Sequence, residues 1–178
     1  MRRDKYTGRE KSRGRKEDYY AENGSRGRKY KPWRSEDGEF RCSNCRQMVL
    51  VTDMMATAHR NHCPWCLWSL HVDTKPGNRA SDCRARMEPV GLTFKRAGFD
   101  KYGRPRAGDV MLVHFCRGCG EININRIAGD DSLDRVWELF ANQQSMAAAL
   151  RAAIAGNGIG LLRPEDAEAL RTSLSGKG

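Results

Sequence analysis

Short apolar runs in the middle of the chain predict two pairs of β-strands. Residues 110–115 are continuously apolar except at His114, which predicts a buried strand, and residues 121–125 alternate polar and apolar positions as a return strand does. Residues 40–41 and 48–51 predict a second, shorter pair. Each pair brackets a Cys-x-x-Cys sequence, so each is expected to form a hairpin with a cysteine turn at its tip.

The apolar spacing becomes helical after residue 132. The apolar positions of the first predicted helix are Leu133, Val136, Trp137, Phe140, Met146, Leu150 and Ile154. Asp131 or Ser132 can cap its start, and Gly156-Asn157-Gly158 ends it. A second helix is expected from Pro164, with Ala167, Leu170 and Leu174 as its apolar face. The pattern predicts a helical hairpin whose first helix packs on the core, while the second is either packed or a docking arm.

Charge separates the first residues from this core. The chain has 178 residues and a net charge of +10, with 39% apolar residues. Residues 1–34 hold 13 Lys or Arg against 5 Asp or Glu, a net of +8. Segments with high charge and few aliphatic residues bury too little apolar area to fold. The predicted organisation is therefore a disordered basic tail (1–38), a cysteine-bearing domain (39–131) and a helical extension (132–178).

The tail contains an internal repeat with the chemistry of a polyanion-binding segment. Ser-Arg-Gly-Arg-Lys occurs at residues 12–16 and again at 25–29, with tyrosines interleaved. Cations release counterions from phosphates, and aromatic rings stack on exposed bases. The predicted nucleic-acid contacts are Arg13, Arg15, Lys16, Arg26, Arg28 and Lys29. RNA is the expected partner, with the ribosome as a candidate carrier; DNA is a second polyanion, and a merely solubilising tail is the alternative.

The beginning of the chain predicts a cytoplasmic location. Met1-Arg2-Arg3-Asp4-Lys5 is charged and has no apolar run behind it, so no secretory signal is expected. No stretch approaches the roughly 18 apolar residues of a membrane span. Thiols stay reduced in the cytoplasm, and an odd number of cysteines, seven, cannot all pair as disulfides within one chain.

The cysteine spacing predicts metal sites. Six cysteines form Cys-x-x-Cys pairs at 42–45, 63–66 and 116–119, and Cys83 stands alone. Structural zinc takes four nitrogen or sulfur donors, so seven thiolates and one histidine would complete two closed zinc sites per chain. His71 is the preferred eighth donor, with His62 and His114 as rivals. The predicted ligands are Cys42, Cys45, Cys63, Cys66, His71, Cys83, Cys116 and Cys119.

The pairing of these ligands is open between three schemes. We favour one site from Cys42, Cys45, Cys116 and Cys119, because the flanks of these two pairs resemble each other. The second site is then Cys63, Cys66, His71 and Cys83, in an insertion within a zinc-ribbon-like core. An alternative joins Cys42 and Cys45 to Cys63 and Cys66, with His71, Cys83, Cys116 and Cys119 as the other site. A cross-braced arrangement is the third.

Several separated motifs resemble the RNHCP domain family. Arg60-Asn61-His62-Cys63-Pro64 is similar to the pentapeptide that names it, and the upstream Cys-x-x-Cys, the Pro-Gly turn at 76–77, Cys83 and the late Cys-x-x-Cys-Gly follow in order. The resemblance spans residues 40–131. It implies a small cysteine-rich domain without an established activity, and it adds no reaction to the metal prediction.

The expected function is accordingly non-enzymatic, with no catalytic residues assigned. Closed, thiolate-rich zinc sites are typical of structural ions, whereas catalytic zinc keeps an open position. The fold class predicted is a small α+β protein with a metal-held β core that binds RNA. One alternative is an HNH-like nuclease that would use His59 or His62 as its base. Another is a protein-interaction or regulatory zinc module. Nothing in the sequence indicates an oligomeric state.

Overall fold

The computed structural model describes residues 39–50, 60–75, 78–95, 101–102 and 108–175. The predictions for the basic tail, for His59 and for residues 51 and 76–77 lie outside the described residues. The strands are β1 (Phe40–Arg41), β2 (Met48–Val49), β3 (Ser69–Leu70), β4 (Arg86–Phe94), β5 (Val110–Cys116) and β6 (Ile122–Arg126). The helices are α1 (Leu133–Asn142), α2 (Ala148–Gly156) and α3 (Ala167–Ser175). The class is therefore α+β, as the sequence predicts.

The strands form two antiparallel sheets. β1 and β2 pair as a two-stranded hairpin, and β3-β4-β5-β6 form a four-stranded sheet in that order. Both predicted strand pairs are present, and Val113 of β5 lies opposite Ile124 of β6. The nine-residue β4 was not predicted, because Pro89 and Gly91 interrupt its apolar pattern. A register shift lies between those two residues, and such a bulge admits a proline that a regular inner strand would not.

Both faces of the four-stranded sheet are covered, which explains the continuous apolar run of β5. Successive residues of a strand point to opposite faces. Leu112 belongs to a buried cluster with residues of α1 and α3, including Val136 and Leu170. Val113 belongs to a second buried cluster, which includes Ile154 of α2. The helices therefore cover the sheet on both sides and fix its position relative to the cysteine turns.

The first predicted helix is interrupted, so the expected helical hairpin is wrong in this detail. α1 ends at Asn142, a 3-10 turn spans Gln143–Ser145, and α2 begins at Ala148. The buried Gln143 side chain accepts a hydrogen bond from the Leu92 amide at 2.6 Å and donates to the Leu162 carbonyl at 2.8 Å. This side chain joins β4 to the segment before α3, and the chain turns around it.

The start of the helical region is capped as the sequence predicts. The Ser132 side chain caps α1 by accepting from the Arg135 amide. Leu170 of α3 is fully buried in the same cluster as Leu92 of β4, so α3 packs on the core. No helix within the described part of the chain is long and apolar enough to cross a membrane.

Candidate metal centres

Each Cys-x-x-Cys sequence folds into the same turn, which we call a knuckle. The amide of the first cysteine donates to the carbonyl five residues later, and the amide four residues later donates back to the first cysteine's carbonyl, all within 2.8–3.1 Å. The residue after the second cysteine has positive φ in all three: Arg46 at 67°, Leu67 at 61° and Gly120 at 80°. Only Gly120 adopts this region without steric cost. The three knuckles are therefore one local structure repeated.

The first two knuckles face each other across a four-sulfur cluster, which we call centre I. Its members are Cys42, Cys45, Cys63 and Cys66, whose Sγ atoms all lie within 4.8 Å of one another. The Sγ atoms of Cys42 and Cys66 are 3.6 Å apart, as are those of Cys45 and Cys63. Cys42 and Cys63 are buried beside Phe40 and Val49, so centre I forms the core of the β1–β2 hairpin.

The third knuckle forms a second cluster, centre II, with His71 and Cys83. Cys116 and Cys119 complete it. The Sγ atoms of Cys83 and Cys116 are 3.6 Å apart, and Cys119 Sγ lies 3.2 Å from His71 Nδ1. His71 and Cys116 are buried, whereas Cys83 and Cys119 are exposed. Centre II therefore lies at the surface end of the β5–β6 hairpin.

The spacing within both centres fits a tetrahedral metal ion. At a zinc–sulfur distance of about 2.3 Å, the sulfurs of a tetrahedron lie about 3.8 Å apart. The observed 3.6 Å is close to that edge and far longer than the roughly 2.0 Å of a disulfide. Four thiolates, or three thiolates and one imidazole nitrogen, are donor sets that zinc prefers. Each centre could therefore hold one zinc ion.

The structure corrects the pairing we favoured from the sequence. Cys42 and Cys45 join Cys63 and Cys66, not Cys116 and Cys119, so the alternative scheme is the one present. Backbone hydrogen bonds explain this: His71 N donates to Ala85 O at 2.9 Å, and Arg117 N donates to Arg86 O at 2.9 Å. These bonds hold Cys83 and the third knuckle beside His71. The flanking sequences that resemble each other occur around every knuckle, so they do not indicate which two knuckles share a centre.

The rival histidines lie outside both clusters. His114 Nε2 donates to the carbonyl of Leu67 at 2.6 Å, and its Nδ1 accepts from Asn125 Nδ2 at 3.0 Å. Burial lowers the pKa of His114 to about 4, which keeps the ring neutral. This histidine therefore supports the second knuckle at its strained residue, Leu67, instead of binding the metal.

The pentapeptide 60–64 acts as a clasp between the second knuckle and α1. Arg60 pairs with Asp130, and His62 Nε2 lies 2.7 Å from Asp131 Oδ2. The Pro64 carbonyl accepts a hydrogen bond from the Ser132 amide at 2.9 Å. The sequence predicted Ser132 as a helix cap but not these acidic partners. The available signal was that the side chains of an Arg-x-His motif can donate hydrogen bonds to the carboxylates of an Asp-Asp pair that precedes a helix.

Comparison with known proteins found a family match over the part of the chain that contains both centres and the clasp. The family model described as the RNHCP domain matches residues 37–136, which is more than half of the 178 residues. The matched range includes all eight candidate ligands and the Asp130–Ser132 partners of the clasp. Searches of curated proteins and of solved structures found no match.

Proposed function

Since the chain belongs to the RNHCP domain family, we propose that it is a non-enzymatic protein that binds two zinc ions and RNA. In this proposal, the zinc ions fold the domain and the basic tail contacts RNA. The ribosome is the proposed site of action. The thiolate-rich centres require a reducing compartment, so the proposed location is the cytoplasm.

The unequal distribution of charge is the observation that carries the RNA part. Residues 1–34 have a net charge of +8, whereas residues 35–134 have 14 Lys or Arg against 13 Asp or Glu, a net of +1. Each Lys or Arg that meets a phosphate releases a counterion, and this term dominates non-specific binding to nucleic acids. A tail of this composition favours a polyanionic partner over a protein surface of mixed charge.

The donor sets support zinc in a structural role. Four protein donors surround the middle of each centre, which leaves no position for a substrate on a four-coordinate ion. Bound zinc would supply a cross-link between chain segments, and thiolates would weaken its action as a Lewis acid. Centre I would join the two knuckles, and centre II would fasten β5–β6 to the segment 71–83.

The environment of His62 weighs against this histidine as the base of a nuclease. A general base must reach its substrate within hydrogen-bond distance or through one water. The His62 ring is buried, and its Nε2 is already bonded to the buried Asp131. This histidine is suited to holding α1 against the second knuckle.

One exposed side chain adds support for contact with unpaired bases. Trp65 lies at the tip of the second knuckle and is 58% exposed, while Pro64 beside it is anchored to Ser132. An accessible indole next to an anchored backbone is a suitable platform for a base, because aromatic stacking contributes about 1–3 kcal/mol per base. Trp65 therefore gives the described domain a second point of contact beyond the tail.

Sedimentation of cell lysate with and without ribonuclease tests the proposal. The full-length protein should travel with large RNA-containing particles and return to the light fractions after ribonuclease treatment. A protein partner that remains bound after this treatment would favour the interaction-module alternative. Sedimentation as a light species in both samples would contradict RNA association in the cell.

A salt titration of purified protein on single-stranded RNA tests the role of the tail. Glutamine replaces the six repeat cations in the full chain: Arg13, Arg15, Lys16, Arg26, Arg28 and Lys29. If all six contact phosphates, the slope of log K against log salt should become less negative by about 4. The control replaces three exposed cations of the C-terminal region, Arg135, Arg163 and Arg171, and should leave the slope unchanged. An unchanged slope in the six-residue variant would contradict the proposed tail contacts.

A further inference from the structure

A cleft runs along the outer edge of β6. Its volume is about 640 Å³, and its lining includes Asn61, Lys75, Lys95 and Ile159. This volume is within the range of small-molecule sites. β6 is the last strand of its sheet, so its outer backbone groups pair with no strand in the described part of the chain. The cleft therefore offers main-chain donors and acceptors as well as side chains.

The Asn61 amide forms a fixed part of the cleft wall. Asn61 Nδ2 donates to Asp73 Oδ2 at 3.0 Å and lies 3.5 Å from Asn125 Oδ1. A carboxylate accepts only, so the amide nitrogen must face Asp73, which fixes the orientation of the amide. The cleft wall beside β6 is therefore held in place by its own hydrogen bonds.

Two lysines that form no ion pair with the described residues line the same cleft. Lys75 and Lys95 are both exposed, and neither is among the ion pairs found within the described residues, whereas Arg126 is paired with Asp109 at 2.8 Å. Asp73 is the one carboxylate among the described lining residues. It already accepts hydrogen bonds from Asn61 and from the Arg79 amide. The two lysines are therefore available to an anionic ligand.

We propose that this cleft binds one nucleotide of single-stranded RNA. The base lies against Ile124 and Ile159 with its polar edge toward the outer main-chain groups of β6, and the phosphate faces Lys75 or Lys95. A nucleotide combines these features: a flat ring, polar edges and a negative charge. The inference rests on the proposed RNA binding, to which it adds base preference, because the phosphate contacts of the tail cations carry no sequence information.

Binding of labelled ribo-oligonucleotides to the full-length zinc-loaded protein tests the cleft. Homopolymers of A, C, G and U are compared at one salt concentration, where the tail contribution is nearly constant. One base should bind at least about fivefold more tightly than the weakest, the factor that corresponds to one additional hydrogen bond. Ile124→Trp fills the cleft at an edge-strand position that tolerates an aromatic residue, and should abolish the preference while keeping the salt-dependent affinity.

Control variants separate blocking from misfolding. Ile124→Val keeps the cleft open and should retain the preference. Leu133→Trp adds the same indole on α1, at a position that is 52% exposed and outside the cleft lining, and should also retain it. Zinc content and thermal melting verify that each variant folds.

The outcomes distinguish the cleft from the tail. Equal affinity for the four homopolymers, unchanged by Ile124→Trp, would overturn the cleft and leave RNA binding intact. A wild-type protein that binds no homopolymer would overturn both. If the free nucleoside monophosphate binds as tightly as the oligonucleotide, the cleft is a site for a free nucleotide, and the RNA assignment is overturned.

Discussion

His62 and Asp131 are 69 residues apart in the chain and meet in a 2.7 Å contact between His62 Nε2 and Asp131 Oδ2. Their side chains are 3% and 0% exposed. Asp131 Oδ2 also accepts from the Ala128 amide at 2.8 Å, so one carboxylate oxygen fixes both the turn before α1 and the second knuckle. The contact links centre I to the helical part of the molecule.

Removal of the His62 ring should lower the free energy of unfolding and leave the metal content unchanged. His62→Ala leaves the buried Asp131 carboxylate without one of its partners, which costs about 1–3 kcal/mol. Zinc per chain should stay unchanged, because His62 is not a ligand of either centre. Urea unfolding gives the stability, with Glu121→Gln, an exposed site, as the control. A His62→Ala variant that unfolds at the wild-type midpoint would contradict this role for the clasp.

Combined cysteine substitutions distinguish the observed ligand pairing from the one we first favoured. Cys45→Ser and Cys119→Ser should each reduce the zinc content by one ion per chain, and the double variant should hold none. In the rejected scheme both cysteines serve one centre, so the double variant would still hold one ion. Elemental analysis of the purified proteins decides between the two outcomes.

Gly118 is expected to be the glycine on which centre II depends. A Cβ built at Gly118 would lie 2.5 Å from Ala85 Cβ and 3.3 Å from Cys83 Sγ. Gly118→Ala should push the segment 83–85 away from the knuckle and weaken metal binding at centre II. Competition with a chelator measures this loss.

Gly156→Ala is the matched control, because a Cβ there meets nothing within 4 Å. It should leave the metal affinity of both centres unchanged. Equal chelator sensitivity of the Gly118→Ala variant and the wild type would show that the segment 83–85 yields without disturbing Cys83.

Gln143 should contribute far more to stability than its neighbour Gln144. Gln143→Ala leaves the Leu92 amide and the Leu162 carbonyl without their side-chain partner, at about 1–3 kcal/mol for each group that stays buried and unsatisfied. Gln144 is exposed and bonds chiefly to the nearby Phe140 carbonyl at 3.1 Å, so Gln144→Ala should cost little. Thermal unfolding of both variants compares them. Similar midpoints would contradict the assignment of Gln143 as the joint between β4 and the segment before α3.

The sequence predicted what depends on local spacing. The knuckles, the β5–β6 hairpin and the cap at Ser132 are set by residues within a few positions of one another, and all are present. The glycine that follows the last Cys-x-x-Cys, Gly120, has a φ of 80°, which glycine adopts without strain. The eight proposed ligands are also those that the two clusters contain, because their number leaves few ways to complete two tetrahedral sites.

Relationships between distant segments could not be predicted in the same way. The pairing of the knuckles depends on β4, whose pattern is hidden by Pro89 and Gly91. The break after α1 depends on Gln143. Its polar side chain is typical of an exposed helix position, and the sequence does not show that it lies next to Leu92 and Leu162. The partners of His62 needed the position of α1 to be known. In each case the missing information was which surfaces meet.

The division of ligands between the two centres also sets an order of assembly. All four ligands of centre I precede all four ligands of centre II in the chain. Cys66, the last ligand of centre I, is synthesised 50 residues before Cys116, which corresponds to about 3–10 s of translation. Centre I can therefore take up its metal while the β5–β6 hairpin is still unmade. Shared ligands between the first and last knuckles would instead have left the two thiols of Cys42 and Cys45 waiting through that interval.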